Sequence, residues 1–327
     1  KTKLAFSVYT ASGGAAYPAL VNAVDNTIAG SELLVGVINN QATVPAAFNV
    51  FSYLGGSGNE GENLNGGLEF PNDFRSCVVS ADNTYFYVGG NTVSNNIPGT
   101  AGSSQPAIAG QYDMFVSRIA LVGGAAGFKS TYLGGASNHD VIGGLAADTR
   151  SGNVIVWGST QSNNFPVVNT VPASPTYQAT FGGKIDITFT LLSNDLSSRI
   201  FSTYLGGTEK DYMGSTCVLM GTGQLCYNTN NGNIYIGTTC HSDETTIPSQ
   251  WMSALPGFDK TFTGSQSISR DHHFVFNFNP NSYDYGDAPA VYDGATPAAS
   301  IFSTSLKIGS TTDAEGLPAS SAAADGD

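Results

Sequence analysis

The sequence predicts an all-β protein assembled from copies of one multi-stranded antiparallel unit, and three observations predict it. The tetrapeptide Tyr-Leu-Gly-Gly occurs at Tyr53 to Gly56, Tyr132 to Gly135 and Tyr204 to Gly207, so Leu54, Leu133 and Leu205 recur at nearly even spacing. Each copy is followed by a β-branched and aromatic run that ends in glycine: Tyr85 to Gly89, Val154 to Gly158 and Ile234 to Gly237. Helical periodicity is nearly absent, with Tyr17 to Val24 and Ser249 to Leu255 as the only short candidates. Repetition at a near-constant period with strand-like composition is the signature of a β-repeat architecture.

Taken in order, each unit justifies its elements. The runs ending in glycine follow turn formers, Asp82-Asn83, Ser151-Gly152-Asn153 and Asn231-Gly232-Asn233, so each is the second arm of a hairpin. A Ser/Thr/Asn-rich stretch then leads to an apolar-Pro pair, Ile97-Pro98, Phe165-Pro166 and Ile247-Pro248. Proline donates nothing to a ladder, so a loop or an edge is expected there. Each unit continues with an Asp-led strand: Asp113 to Val116, Asp186 to Phe189, and Asp271 to Val275. Such a carboxylate is expected to accept hydrogen bonds from a neighbouring loop, a structural role. Ahead of these copies, Leu33-Leu34-Val35-Gly36 and Val44-Pro45 resemble the glycine-ended strand and the apolar-Pro pair, with Ser7 to Thr10 in the place of Tyr-Leu-Gly-Gly. On that alignment the short interval between Pro45 and Tyr53 leaves no room for an Asp-led strand.

The chain therefore divides into a degenerate partial repeat (1–50), three repeats (51–129, 130–201 and 202–278) and a different module (279–327). Multi-stranded units with long loops read as propeller-like blades, with a short C-terminal β/coil extension. Three copies and a partial one are too few for a seven-bladed ring, so the chain is a portion of a propeller, or its blades form an open stack, or each long unit supplies more than one sheet. An open stack leaves strand edges to be covered by a partner or by further chain.

Composition narrows function. Only 11% of residues are charged, against roughly a quarter in an average soluble protein. Gly, Ser, Thr and Asn fill the surface instead, which suits an exported β protein. A net charge of −13 opposes binding to nucleic acid or an anionic lipid surface. No apolar run reaches about 18 residues, so no helical membrane insertion is expected. The start at Lys1-Thr2-Lys3 fits a mature or trimmed exported chain, or an excised fragment. Cys77, Cys217, Cys226 and Cys240 leave open a Cys217–Cys226 bridge, a Cys226–Cys240 bridge and free buried thiols. The Cys-x2-4-Cys spacing of a zinc site is absent.

Ser130 to Gly135 and Ser202 to Gly207, with Ser151 to Val156 and Asn164-Phe165-Pro166, resemble the bacterial β-propeller repeat family called SBBP over residues 50–278. Separately, Asp284-Tyr285-Gly286-Asp287-Ala288-Pro289, Asp313-Ala314-Glu315 and Asp325-Gly326-Asp327 look like the opening half of a GEVED domain. The two resemblances imply a portion of a large exported bacterial surface protein or adhesin, Bacteroidota-like, with no catalytic residue assigned to the repeat.

Candidate chemistry is sparse. Asp284, Asp287, Asp313 and Glu315, with Asp325 and Asp327, are candidate oxygen ligands for Ca2+. The missing Asp-x-[Asp/Asn]-x-[Asp/Asn]-Gly loop favours the plainer reading of solvated acidic turns. No other cofactor is expected. Asp82, Asp148 and Asp243 read as turn carboxylates. His272 and His273 point to opposite faces of a strand. No Gly-x-Ser-x-Gly elbow, His-Glu-x-x-His pair or phosphate loop occurs, so no catalytic residue is assigned and the chain reads as a non-enzyme. Tyr53, Tyr132 and Tyr204 read as core. Tyr112, Tyr177, Trp251 and Tyr283 are the surface aromatics to consider for a glycan. The function expected is a non-enzymatic repeat region, secreted or on a bacterial cell surface, presenting loops to a protein or glycan ligand or assembling into a larger complex. A structural subunit of an extracellular filament and a secreted propeller hydrolase acting on polysaccharide are the alternatives.

Overall fold

The computed structural model describes residues 3–10, 19–39, 48–60, 76–137, 139–149, 151–169, 178–212, 224–227, 234–240, 272–278, 283–285 and 299–301, with side chains placed mainly up to residue 211. All regular structure among these residues is strand. Residues 19–24 of the first helix candidate form a bridge and bends, and Ser249 to Leu255 lies outside the described residues.

Strands β1 (Lys3–Thr10), β2 (Glu32–Asn39) and β3 (Phe48–Leu54) form the first antiparallel sheet, in the order β1-β2-β3. The second is a four-stranded meander of β4 (Ser76–Val79), β5 (Tyr85–Thr92), β6 (Asp113–Ala120) and β7 (Gly124–Leu133). The third runs β8 (Asp140–Ala147), β9 (Val154–Thr160), β11 (Asp186–Leu192) and β12 (Arg199–Leu205), with the short β10 (Val168–Asn169) on the outer edge of β12. A fourth contains β13 (Asp211–Tyr212), β14 (Gln224–Tyr227), β15 (Ile234–Cys240) and β16 (His272–Phe278). The short strands β17 (Tyr283–Tyr285) and β18 (Ala299–Ile301) pair with each other.

The hairpin arms fall where the turn residues place them, with Asn83 and Gly152 in the left-handed conformation that the β4–β5 and β8–β9 turns require. Each Tyr-Leu-Gly-Gly closes the outer strand of a sheet and leads into the next. Register also revises the reading of the N-terminal partial repeat. Thr10 pairs with Glu32 as Thr92 pairs with Asp113 and Thr160 with Asp186. Strand β2 is therefore the acid-led strand, with Glu in place of Asp, and β1 is the glycine-ended strand one step earlier. Counting room after Pro45 missed this because the acid-led strand lies before Val44-Pro45, not after it.

Strand alternation gives each of the first three sheets two apolar faces, and these sheets share cores in succession. Leu33, Val35, Val50 and Leu54 of the first sheet meet Phe86, Val88, Phe115, Ile119 and Tyr132 of the second. Tyr87, Met114, Val116 and Leu133 of the second meet Val141, Val154, Val156 and Tyr204 of the third. The signature tyrosines are core, with Tyr132 fully buried and Tyr204 1% exposed. The Tyr132 hydroxyl accepts from the Ile97 N–H (2.9 Å) and donates to the Ser94 carbonyl (2.8 Å), tying the apolar-Pro loop to the core.

The molecule has two unlike ends. Among the described residues, one carries the short turns 80–84, 121–123 and 193–198 and the β8–β9 turn; the other carries the long connection 93–112 and, between β9 and β11, residues 161–169 and 178–185. These long loops fold back over the outer edge of their own sheets. Backbone N–H groups of Ser130 and Tyr132 donate to the carbonyls of Gly99 and Gln105, and that of Tyr204 to the carbonyl of Gln178. Val21 and Asp25 bridge to Phe51 and Tyr53 in the first sheet in the same way. The exposed outer edges expected from an open stack are thus capped from within in these three sheets.

Because a buried N–H and a buried carbonyl both depend on one hydroxyl, Tyr132→Phe is expected to cost about 1–3 kcal/mol. Urea unfolding followed by tryptophan fluorescence measures it; an unchanged midpoint would remove the hydroxyl from the account of how the loop is held.

Candidate functional site

The most distinctive chemistry is a pair of buried carboxylates at each Gly-Gly junction. One comes from the acid-led strand: Glu32, Asp113 and Asp186, each no more than 1% exposed. The second comes from the segment after Gly-Gly: Glu60, Asp140 and Asp211, equally buried.

The second acid is held in the same way each time. The N–H of the second glycine donates to it, from Gly56 to Glu60 (3.1 Å), Gly135 to Asp140 (2.7 Å) and Gly207 to Asp211 (2.7 Å). At the first two junctions a Thr-x-Ser from the neighbouring strand end adds two hydroxyls. Thr92 and Ser94 donate to Glu60, and Thr160 and Ser162 to Asp140. The first acid is held by its own loop. Asp113 accepts from the N–H groups of Ala109 (2.9 Å) and Gly110 (3.1 Å) and from Gln105 Nε2 (3.1 Å). Asp186 accepts from Gly182 N–H (2.7 Å) and Gln178 Nε2 (3.3 Å). The amide oxygens of Gln105 and Gln178 in turn accept from the first glycine of each pair, Gly134 and Gly206, both at 3.2 Å.

This explains the glycines. A Cβ on Gly134 would sit 2.3 Å from Asp113 Cγ, and one on Gly55 2.4 Å from a Glu60 carboxylate oxygen and 2.5 Å from Glu32 Cγ. The second glycine faces the Ser-x-Asn of the next loop: a Cβ on Gly56 or Gly135 would meet Ser94 or Ser162 at 2.5 Å. Thr131 and Thr203, just before the tyrosine, accept the backbone N–H of Gln105 (2.9 Å) and Gln178 (2.7 Å). These positions of Thr-Tyr-Leu-Gly-Gly thus each have a physical task.

Burial sets the electrostatics. Desolvation pushes Glu32, Asp140 and Asp186 up to about 7 and Asp113 up to about 6, and raises Glu60 as well. Donated hydrogen bonds oppose the rise without cancelling it. Neighbouring acids add to it for Glu32, Glu60, Asp140 and Asp186. Two carboxylate oxygens, Glu32 Oε2 and Asp186 Oδ1, are buried with no hydrogen-bond partner. At the first junction a cavity of about 260 Å³ opens beside Glu32, lined also by Asp25, Thr27, Ser57 and Asn96. Among the described residues no three His, Cys, Asp or Glu side chains converge as metal ligands.

Of the residues singled out in the sequence, Asp113 and Asp186 have the structural role expected, while Asp271 lies outside the described residues. Asp82 accepts from the Thr84 N–H (3.0 Å), an Asx turn, and Asp148 accepts from Ser151. Tyr112 is half-buried at the loop end, its ring stacked on His139 with centroids 4.8 Å apart. Cys77 is a free thiol that desolvation pushes up to about 12. The side chains of Cys217, Cys226, Cys240, Asp284, Asp287, Asp313 and Glu315, and of Tyr177, Trp251 and Tyr283, lie outside the described residues, and the calcium and disulfide expectations lie there with them. Glu60, Asp140, Asp211, Gln105 and Gln178 were not singled out. An acid four or five residues after Gly-Gly, and a Gln eight residues before each of Asp113 and Asp186, are the signals that point to them. No known protein family and no curated protein matches the chain in sequence.

Two outcomes follow from the geometry. Gly134→Ala forces a methyl into the Asp113 carboxyl and is expected to destabilise by about 1–3 kcal/mol, read as a lower urea midpoint; a midpoint equal to wild type would refute the steric role. Acids whose folded pKa is raised stabilise fully below their unfolded value near 4 and lose that contribution as pH rises through about 6 to 7. Asp82 and Asp195, lowered mainly by hydrogen bonds from neighbouring serines, act oppositely at lower pH. Thermal midpoints should therefore peak near about pH 4, decline through pH 6 to 7 and stay low at pH 8. Asp186→Asn should reduce that fall; a midpoint that climbs steadily to pH 8 contradicts the assignment.

Proposed function

We propose that this chain is a non-enzymatic, propeller-like repeat region of a secreted or cell-surface bacterial protein, and that the end carrying the long loops is its binding face. The observation that carries this reading is the asymmetry of the two ends. Short turns close one end, whereas the long connection 93–112 and residues 161–169 and 178–185 lie at the other. Long loops on a rigid sheet scaffold are where binding is usually placed. Those loops are built largely from Ser, Asn, Gly and Pro, with Tyr112 and His139 presenting a stacked aromatic pair. Such a surface suits a protein or glycan ligand better than a charged one.

The carboxylate pairs support a structural role over a hydrolytic one. They recur at every described junction, lie under glycine backbone and have most of their oxygens occupied by protein donors. A glycoside hydrolase needs its two carboxyls open to a substrate on a cleft floor. The resemblance to SBBP and GEVED sequences supports an exported, modular bacterial parent. No helix among the described residues is long and apolar enough to cross a membrane.

Surface labelling of intact cells of the source organism with antibody to the purified chain, together with the mass of the native antigen, tests this. Labelling of unpermeabilised cells by an antigen far heavier than the chain itself is expected; labelling only after permeabilisation overturns the reading. Glycan and protein arrays probed with the chain should show saturable binding that Tyr112→Ala weakens by several-fold, with no reducing ends released from any bound polysaccharide.

A further inference from the structure

We propose that the cavity at the first Gly-Gly junction binds a primary ammonium group, the tip of a lysine side chain on a protein ligand, in the place that a glutamine fills at the other two junctions. The inference rests on the reading of the long-loop end as a binding face, since Asn96 and Pro98 of the connection 93–112 line this cavity.

The comparison of junctions carries it. At the second and third, Gln105 and Gln178 are anchored alike. Each backbone N–H donates to the hydroxyl of Thr131 or Thr203, and that hydroxyl donates back to the carbonyl of the same glutamine. The side-chain amide then donates to the acid of the strand, Asp113 or Asp186. At the first junction the residue so anchored is Asp25. Its N–H donates to the Ser52 hydroxyl (3.0 Å), which donates back to the Asp25 carbonyl (3.1 Å), and Asp25 bridges to Tyr53 as Gln178 does to Tyr204.

A carboxylate cannot donate as the amide does. Glu32 Oε1 accepts from the N–H three residues back, that of Ala29 (2.7 Å), as Asp113 Oδ1 does from Gly110. The remaining oxygen, Oε2, corresponds to the one that Gln105 serves on Asp113, and it is buried with no hydrogen-bond partner on a residue only 1% exposed. Beside it lies the cavity of about 260 Å³, lined by both Asp25 and Glu32 and by no basic side chain. The site lacks a donor and holds two acids, so the group that completes it is a cationic donor.

Three features choose among cations. Ca2+ takes six to eight oxygens, and among the described residues no three acidic, His or Cys side chains converge. A guanidinium favours both oxygens of one carboxylate, yet Ala29 holds one oxygen of Glu32 and Thr27 holds Oδ1 of Asp25. An ammonium group can use single oxygens from separate acids. The cavity is also smaller than the roughly 300–1,000 Å³ that encloses a whole small ligand, which suits the end of a side chain. The demand is local, one charge on a loop surface otherwise rich in Ser, Asn, Gly and Pro. Burial, with the charges of Asp25 and Glu60, pushes Glu32 up to about 7 against the hydrogen bond from Ala29. Lysine stays charged to about pH 10, so binding should be tighter at about pH 8 than at about pH 6.

Backbone amide spectra of the full chain, titrated with lysine blocked at its α-amino and carboxyl groups, test the proposal. Saturable shifts are expected at Gly55, Gly56 and Ser57, with none from blocked norleucine and weaker ones from blocked arginine. Asp25→Gln supplies the missing amide from within and should weaken lysine binding by about tenfold or more, with a thermal midpoint no lower than wild type. Silence toward lysine, equal shifts from norleucine, stronger binding of arginine, or shifts from CaCl2 alone would each overturn the assignment, and none of these needs a variant. Undiminished binding by a folded Asp25→Gln would overturn it as well. If protein or glycan arrays still bind the chain while the cavity ignores lysine, this inference fails and the binding face stands. If lysine fills the cavity while nothing on the arrays binds, the binding-face reading fails instead.

Discussion

The stack depends on one interaction, the hydrogen bond from the second glycine of Tyr-Leu-Gly-Gly to the acid that opens the next sheet. It is charge-assisted when the acid is ionised, buried, and made where the chain leaves one sheet for another. Without it the link between sheets would be a loop crossing a dry junction with an unpaired N–H. Gly55, Gly134 and Gly206 admit the acid of the preceding strand on the other side, so each junction is closed by two carboxylates with backbone between them. Larger residues cannot enter this space, which is why the tetrapeptide is the most constant part of the repeat while loop lengths vary.

Fixing the junction lets the loops diverge. The connection from the second to the third strand returns to cap the outer edge of its sheet through a few backbone bonds, at Gly99 and Gln105 or at Gln178. Between those contacts the loop adds residues at small entropic cost, since closure grows only slowly with length. A scaffold whose edges are covered by its own variable segments combines protection against strand pairing with a surface free to change. Hydroxyl clasps such as Thr160 and Ser162 on Asp140 supply donors from short side chains, so little rotamer freedom is lost in ordering them.

Much of this was legible in the residues, and what was not has definite causes. Strand identity and hairpin turns followed from β-branched runs that begin after Asp82-Asn83 and Ser151-Gly152-Asn153, because these signals are local. Asp113 and Asp186 were recognisable as structural because they recur at the head of a strand. Their partners Glu60, Asp140 and Asp211 escaped because the spacing from Gly-Gly slips between four and five and the residue alternates between Glu and Asp. Glu32 escaped for a related reason. With Glu in place of Asp, β2 looked like the glycine-ended strand, and only pairing register separates the two. The closeness of two acids from strands far apart in sequence is a tertiary fact that no local pattern carries.

Burying acids in pairs also changes what the formal charge means. The value of −13 counts every carboxylate as ionised, yet Glu32, Asp140 and Asp186 are pushed up to about 7 and Asp113 to about 6. Near neutral pH part of that population holds protons, and the rest of its charge lies under protein rather than against water. The solvent-facing surface is therefore less negative than the sequence suggests, and it is sparse in charge to begin with. Long-range repulsion between copies weakens accordingly, and more so in mildly acidic surroundings, where the junctions are also at their firmest.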